Sequence, residues 1–325
     1  MAAESAWSTR RVLVTGATGL VGSWLCRWLV EREAFVVAYI CDMDPQSELI
    51  RSGVIERTNV VNGRLEEPDS VERAVNLHEV DTVIHLGAQT IVGTAFRAPR
   101  HTFEANIAGT WNVLDACRLH PDLVKRVVVA SSDKAYGTSD VLPYTEDMPL
   151  EGRAPYEVSK SCTDLIAKSY AVTYATPVTI ARCGNIYGGG DLNWSRIIPG
   201  TARSLIQGTQ PYIRSDGKAV RDYIHVDDVV EAYLRLADHS DRPEMAGEAF
   251  NFSDETPLTV MEIYGAVCDE LGGWVDPFIA GGAQDEIPDQ RLDASKARDM
   301  LGWSPKLSLA DGMRKTAEWY RTYLG

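Results

Sequence analysis

The sequence predicts an α/β protein built on a doubly wound parallel sheet, followed by a smaller mixed C-terminal lobe. Three observations carry this. Short β-branched runs alternate with longer amphipathic stretches through the first half, a glycine-rich turn directly follows the first run, and the alternation breaks after Arg182, where Gly188-Gly189-Gly190 and Pro199 interrupt it. Strands alternating with helices form right-handed βαβ units, and these lay parallel strands side by side with helices on both faces.

Taken in order, Val12–Thr15 reads as a strand and Gly19–Arg32 as a helix with Leu20, Trp24, Leu25, Trp28 and Leu29 on one face. Phe35–Cys41 and Asn59–Val61 are strands, Pro68–Asn76 a helix, and Thr82–Leu86 a strand. A long helix around Ala105–Leu119 precedes strand Arg126–Ala130, and the helix Tyr156–Tyr174 precedes strand Val178–Arg182. Phe250–Phe252 and a final helix, Leu309–Tyr323, belong to the later region. The expected division puts residues 1–183 and about 220–252 in one domain, and 184–219 with 253–325 in a lobe over the sheet's carboxyl edge, where such sheets bind ligands.

A net charge of −14, spread along the chain, argues against nucleic acid or an anionic membrane surface as partner. No stretch approaches the roughly 20 apolar residues of a membrane helix, and Met1–Arg11 holds no apolar leader core. A cytoplasmic protein is expected. The six cysteines are scattered, without a CxxC or a His/Cys cluster at metal spacing, so free buried thiols and no metal are expected.

Thr15-Gly16-Ala17-Thr18-Gly19-Leu20-Val21-Gly22 closes the first strand and opens the first helix. In that setting Gly16 permits a tight turn, Gly19 lets backbone approach a pyrophosphate, and Gly22 allows close helix–strand packing, while the helix N-terminus offers N–H groups to phosphate. Asp42, 20 residues beyond Gly22 at the end of the second strand, is placed to accept from ribose hydroxyls; Asp44 is the alternative. An acid there favours NAD over NADP.

Tyr156 and Lys160 stand four apart and share one helix face. A neighbouring ammonium favours the phenolate that can take a proton from a sugar hydroxyl while hydride leaves the same carbon. Ser132, ending another strand, completes an oxidoreductase set.

With these residues the chain resembles the extended short-chain dehydrogenases that act on nucleotide sugars, over nearly its whole length. Besides the glycine turn and Tyr156-Glu157-Val158-Ser159-Lys160, the matching stretches are His85-Leu86-Gly87-Ala88-Gln89, Asn106-Ile107-Ala108-Gly109-Thr110, Arg182-Cys183-Gly184-Asn185-Ile186-Tyr187-Gly188, Arg221-Asp222-Tyr223-Ile224-His225-Val226-Asp227-Asp228 and Leu292-Asp293-Ala294-Ser295-Lys296-Ala297. The resemblance implies a Rossmann-like sheet and bound NAD, lined by Leu20, Val21, Leu86, Ala88 and Lys160. It implies a nucleotide-diphosphate sugar as substrate, with Asn185 facing it, Arg196 beside it, and Arg221 and Arg291 on its diphosphate. Each of those two arginines has a plainer alternative: Arg221 with Asp222 or Asp227, Arg291 with Asp289 or Asp293. It further implies a homodimer through the helices that carry Asn106 and Tyr156. One departure is Gly63-Arg64-Leu65, where the family commonly has an adenine-contacting aspartate; Arg64 leaves NADP open.

Within the family, 4-epimerases usually carry small residues after the active-site hydroxyl, and 4,6-dehydratases an acid and a base. Ser132-Asp133-Lys134 resembles the Thr-Asp-Lys of the dehydratases acting on CDP-glucose, as does Gly188-Gly189-Gly190-Asp191 followed by Arg196-Ile197-Ile198-Pro199. The expectation is a 4,6-dehydratase. Lys134 takes the C5 proton, and a protonated Asp133 assists departure of the C6 hydroxyl. The alternatives are a 4-epimerase using the same Tyr156 and Lys160, and a non-catalytic NAD(H)-binding regulator; the intact Ser132/Tyr156/Lys160 set speaks against the second.

Overall fold

Val12, Leu13 and Val14 have no solvent-accessible surface on either face of their strand, which is what the centre of a parallel sheet covered on both sides requires. The structure, a computed structural model, describes residues 7–282 and 287–325; residues 1–6, including most of the stretch read above for a leader, and 283–286 lie outside the described part.

The chain forms two units. The first comprises residues up to Gly137, Glu146–Arg182 and Val230–Phe250. Its strands and helices alternate: β1 (Arg11–Thr15), α1 (Leu20–Glu31), β2 (Phe35–Ile40), the short α2 (Glu48–Arg51), β3 (Asn59–Asn62), α3 (Pro68–Leu77), β4 (Thr82–His85), α4 (Val92–Arg97), α5 (Pro99–Phe103), α6 (Gly109–Leu119), β5 (Arg126–Ala130), α7 (Pro155–Tyr174) and β6 (Val178–Cys183). The sheet order is β3-β2-β1-β4-β5-β6-β10, with β10 at Ala249–Phe252, and the pairs from β3 to β6 are parallel. The strand order reverses between β1 and β4, the switch point at which such sheets bind ligands. Leu13, Val37, Val83, Val127 and Ile180 pack against Val71 and Val75 of α3, Val113 and Leu114 of α6, and Ala167 and Ala171 of α7.

Two details differ from the sequence reading. The buried face of α1 is Gly22, Leu25, Cys26, Leu29 and Val30. Trp24 and Trp28 are half-buried on its flank, where the Arg32 guanidinium lies 3.3 Å from the Trp28 ring centroid. The long helix expected around Ala105–Leu119 begins as a π-turn over Glu104–Ala108 before α6. There the Asn106 amide accepts from Gln89 N (2.7 Å) and donates to Gln89 O (3.0 Å) and Ser159 Oγ (2.9 Å). That triple bonding of one buried side chain accounts for the turn's persistence.

The second unit comprises Thr138–Thr145, Cys183–Val229 and Asn251–Gly325. Residues 220–229, expected with the cofactor domain, fall here. The unit holds β7 (Asn185–Tyr187), α8 (Ile197–Ile206), β8 (Tyr212–Ile213), β9 (Val220–His225), β11 (Pro257–Thr259), α10 (Val260–Glu270), β12 (Phe278–Ile279), β13 (Asp289–Gln290), α11 (Ser295–Leu301) and α12 (Leu309–Leu324); α9 (Val226–His239) starts here and ends in the first unit. Strand β9 pairs antiparallel with β11 and parallel with β13 and β7. Tyr187, Ile198, Tyr223, Ile263, Val267, Met313 and Tyr320 form its core.

Three carboxylates converge beside that core. Asp228 accepts from Lys306 N and Leu307 N, and Asp222 from Ser253 Oγ and Leu292 N. Burial, followed by the charges of Asp222 and Asp228, pushes Asp254 up to about 7. A carboxyl raised on folding contributes its stability below the ordinary carboxylate range and loses it as pH rises through about 7. Asp254→Asn should therefore raise the thermal midpoint at pH 8, by about 2–4 °C, and leave it nearly unchanged at pH 4.5. Melting curves at the two pH values check this; an equal shift at both would refute it.

Candidate active site

The loop after β1 turns where Gly16 adopts φ +67°, and a Cβ there would sit 2.8 Å from Gly87 N. A Cβ on Gly22 would lie 2.2 Å from Gly16 O, so α1 reaches its place over β1 only without one. Gly19 occupies the N-cap and supplies no side-chain cap, which leaves the first-turn N–H groups, those of Leu20 and Val21 among them, directed at whatever lies before the helix. A diphosphate fits this cradle: it has the charge the helix end favours and the acceptors its N–H groups need.

The adjacent strand end is built to hold the second wall. Thr15 Oγ1 accepts from Leu86 N (3.1 Å) and Gly87 N (3.0 Å) and bonds His85 Nδ1 at 2.7 Å. With both N–H bonds accepted, the hydroxyl proton goes to Nδ1, so His85 carries its hydrogen on Nε2, facing Thr110 Oγ1 at 3.2 Å. Burial, helped by the Lys160 ammonium, pushes His85 down to about 3, and the ring is neutral. This hydrogen-bond chain, which fixes Leu86 and Gly87, is not legible as a site in the sequence. A threonine ending one strand opposite a histidine ending the next was its only trace.

Asp42 is exposed just past β2, while Asp44 is occupied in a turn, accepting from Gln46 N at 2.9 Å. Arg64 pairs with Glu66 at 3.1 Å, and its carbonyl accepts from Tyr39 Oη at 2.9 Å.

At the end of β5, Ser132 Oγ donates to Asp133 Oδ1 (2.8 Å) and accepts from Lys134 N (3.2 Å). Lys134 Nζ lies 3.3 Å from the same Asp133 oxygen, and Asp133 is only 3% exposed. Asp133 is thus held inside the protein, while the Lys134 side chain is 21% exposed. Helix α7 starts with Pro155 and carries Tyr156 (8% exposed) and Lys160 (4%) one turn apart. Lys160 Nζ donates to Ala130 O at 2.8 Å, which sets the helix against the strand end that leads into Ser132. The first unit thus gathers the glycine turn, Leu86, Ala88, Ser132, Asp133, Lys134, Tyr156 and Lys160 around its own strand ends.

The remaining expected residues lie in the second unit. Asn185 opens β7, and Arg196 precedes α8 with Nη1 3.0 Å from Asp191 Oδ2. Arg221 is buried on β9 and donates to Val220 O at 2.7 Å. Arg291 is held by both oxygens of Asp289, at 3.0 and 2.8 Å, the plainer of its expected arrangements. Among the described residues there is no group of three or more potential metal ligands and no helix long and apolar enough to cross a membrane.

A glycine-turned helix end, a neutral histidine strand end and a tyrosine–lysine helix define a nicotinamide-dinucleotide enzyme. Residues 12–252 match the family described as the NAD dependent epimerase/dehydratase family, and the chain belongs to it; NAD is its cofactor. The chain is 28% identical to the CDP-glucose 4,6-dehydratase of Salmonella typhimurium, over 98% of this chain and 92% of that one. It is 32% identical to the dTDP-glucose 4,6-dehydratase of Streptomyces antibioticus, over 95% and 92%. It also resembles the crystal structure of UDP-glucose 4-epimerase with UDP-glucose from Thermotoga maritima, at a TM-score of 0.88 and 28% identity, covering 97% of this chain and all of that one.

The glycine geometry generates a prediction. Gly22→Ala must push α1 off the turn, an overpacking of about 1–3 kcal/mol, and should weaken NAD binding at least tenfold while lowering the thermal midpoint. Titration of NAD followed by tryptophan fluorescence measures the first. Wild-type affinity in the variant would mean that the cradle does not depend on this contact.

Proposed function

We propose that the protein is a nucleotide-sugar 4,6-dehydratase, with a CDP-glucose-like substrate favoured. The observation that carries this reading is the buried Asp133, shared between Ser132 Oγ and Lys134 Nζ. A 4-epimerase needs no acid and base at that place, and burying a carboxyl is costly unless it serves a purpose. The relatives named dehydratases and the structure named an epimerase match at similar identity, so the choice rests on the residues.

Bound NAD supplies a hydride acceptor for C4 and a donor for C6. Tyr156, beside Lys160, takes the C4 hydroxyl proton. The C4 ketone acidifies C5–H, and neutral Lys134 takes that proton as Asp133 gives its own to the departing C6 hydroxyl, which leaves as water. Lys134 then returns a proton to C5, and the Tyr156 proton restores Asp133. Lys134 Nζ and Asp133 Oδ1 stand 3.3 Å apart, which suits a base and an acid acting on adjacent carbons. Asp42 is the acceptor for the adenosine ribose. Asn185 faces the nucleotide sugar with Arg196 beside it, and Arg221 and Arg291 take its diphosphate, Arg291 exchanging Asp289 for phosphate, which a planar guanidinium grips equally well.

We also infer a homodimer through α6 and α7. Trp111 and Leu119 on α6 and Leu165, Val172 and Tyr174 on α7 are large, apolar and 45–76% exposed, and Arg118 over the Tyr174 ring joins the two helices on that side. Several large exposed apolar side chains on two neighbouring helices suit an association surface. Wild type should sediment as a dimer and Leu165→Glu/Val172→Glu as a monomer; a monomeric wild type would sink the inference.

For the reaction, wild type incubated with CDP-glucose in deuterated water should release a 4-keto-6-deoxy sugar carrying deuterium at C5. Lys134→Met should lose product formation by at least a hundredfold, a scale typical of removing a general base, while the reduced cofactor's absorbance builds up on the enzyme. A fully active Lys134→Met that yields a C4 epimer alone would instead make the protein an epimerase.

A further inference from the structure

Arg182, the fifth residue of β6, reaches neither solvent nor the residues assigned to chemistry. Its guanidinium donates Nε and Nη2 to Asp164 Oδ2 and Oδ1, both at 2.8 Å, and Nη1 to Tyr136 Oη at 2.7 Å and Glu146 O at 3.3 Å. All three side chains are at most 5% exposed. Burial alone works against the Arg182 charge, but the Asp164 bonds outweigh it and hold the group above its ordinary value. Arg182 therefore stays charged.

Its two ends are what matter. Asp164 lies on α7, one turn beyond Lys160, and Tyr136 ends the helical turn Asp133–Tyr136 that carries the acid–base pair. One arginine thus spans the element bearing Tyr156 and Lys160 and the element bearing Asp133 and Lys134. A second, weaker tie runs parallel, with Ser161 Oγ on α7 donating to Ala135 O at 2.9 Å. The turn leaves no slack, since Gly137 takes φ +72° and a Cβ there would meet Glu151 O at 2.3 Å.

We propose that Arg182 is a positioning residue that sets the Asp133–Lys134 pair against the Tyr156–Lys160 helix through its bonds to Tyr136 and Asp164. This rests on the dehydratase reading, in which the two elements must act in succession on one sugar, at C4 and then at C5 and C6. A buried bidentate pair contributes little net stability over an apolar replacement, but it fixes geometry. Misplacement by about 1 Å can cost up to a hundredfold in rate.

Removing Arg182 itself would strand the buried Asp164, so the test is Tyr136→Phe, which removes the hydroxyl that accepts from Nη1 and keeps the ring beside the guanidinium. Thermal midpoint and NAD affinity are measured first, then turnover of CDP-glucose and the transient absorbance of reduced cofactor after rapid mixing. The expected result is a kcat about ten- to a hundredfold lower, KM within twofold of wild type, NAD affinity unchanged, and reduced cofactor accumulating where wild type shows none. C4 oxidation on α7 proceeds while the displaced pair slows elimination. Loss of turnover without that accumulation, or an unchanged kcat, overturns the positioning role. A wild type that forms no 4-keto-6-deoxy product from any CDP-, UDP-, GDP- or dTDP-glucose overturns the dehydratase reading, and the inference with it.

Discussion

A buried ammonium and an unpaired strand-end carbonyl each cost several kcal/mol in isolation, and here each satisfies the other: Lys160 Nζ meets Ala130 O at 2.8 Å. The rest of the first unit's site is arranged around this bond. It holds α7 against the end of β5, and so sets Tyr156, one turn earlier, and Ser132, two residues further on. It also places a positive charge near His85, which adds to burial in keeping that ring neutral. A neutral histidine can then accept from Thr15 on one side and donate to Thr110 on the other, closing the hydrogen-bond account at the strand ends that flank the glycine turn.

The parallel sheet imposes a second constraint. Its carboxyl edge brings together backbone groups with no further ladder to join, and these must be satisfied by side chains or by ligand. At β1 and β4 the satisfaction is internal, through Thr15 and Asn106. At the start of α1 it is left open to a ligand, because Gly19 has no side chain to offer. Structural and binding roles are thus divided between neighbouring strand ends, and the division follows from which residues carry a hydroxyl or amide and which carry none.

In the second unit the notable feature is how many polar groups are already occupied. Arg196 and Arg291 are paired with Asp191 and Asp289, and Arg221 is buried against its own strand. A guanidinium held by a carboxylate is pre-oriented, and a phosphate presents the same fork of acceptors, so the exchange proposed for Arg291 would cost less ordering than capture by a mobile side chain.

Much was determined by the sequence alone. The βαβ alternation, the placing of the glycine turn between β1 and α1, and the pairing of Tyr156 with Lys160 on one helix face all follow from local spacing, because helix and strand periods are set by backbone geometry, while the family is carried by the likeness of whole motifs. The sequence could also nominate Asp133 and Lys134, since they directly follow the strand-end Ser132. Only the tertiary structure decided that Asp133 is buried and shared between two partners, that Asp44 rather than Asp42 is spent in a turn, and that Trp24 and Trp28 flank α1's buried face. It alone joined Arg182 to both Tyr136 and Asp164, and turned Asn106 into the anchor of a π-turn. The Arg182 and Asn106 contacts join residues 17 to 53 positions apart. No periodicity encodes such contacts; they depend on which side chains the packed sheet and helices bring within hydrogen-bond reach, and on burial that leaves those groups no water to turn to.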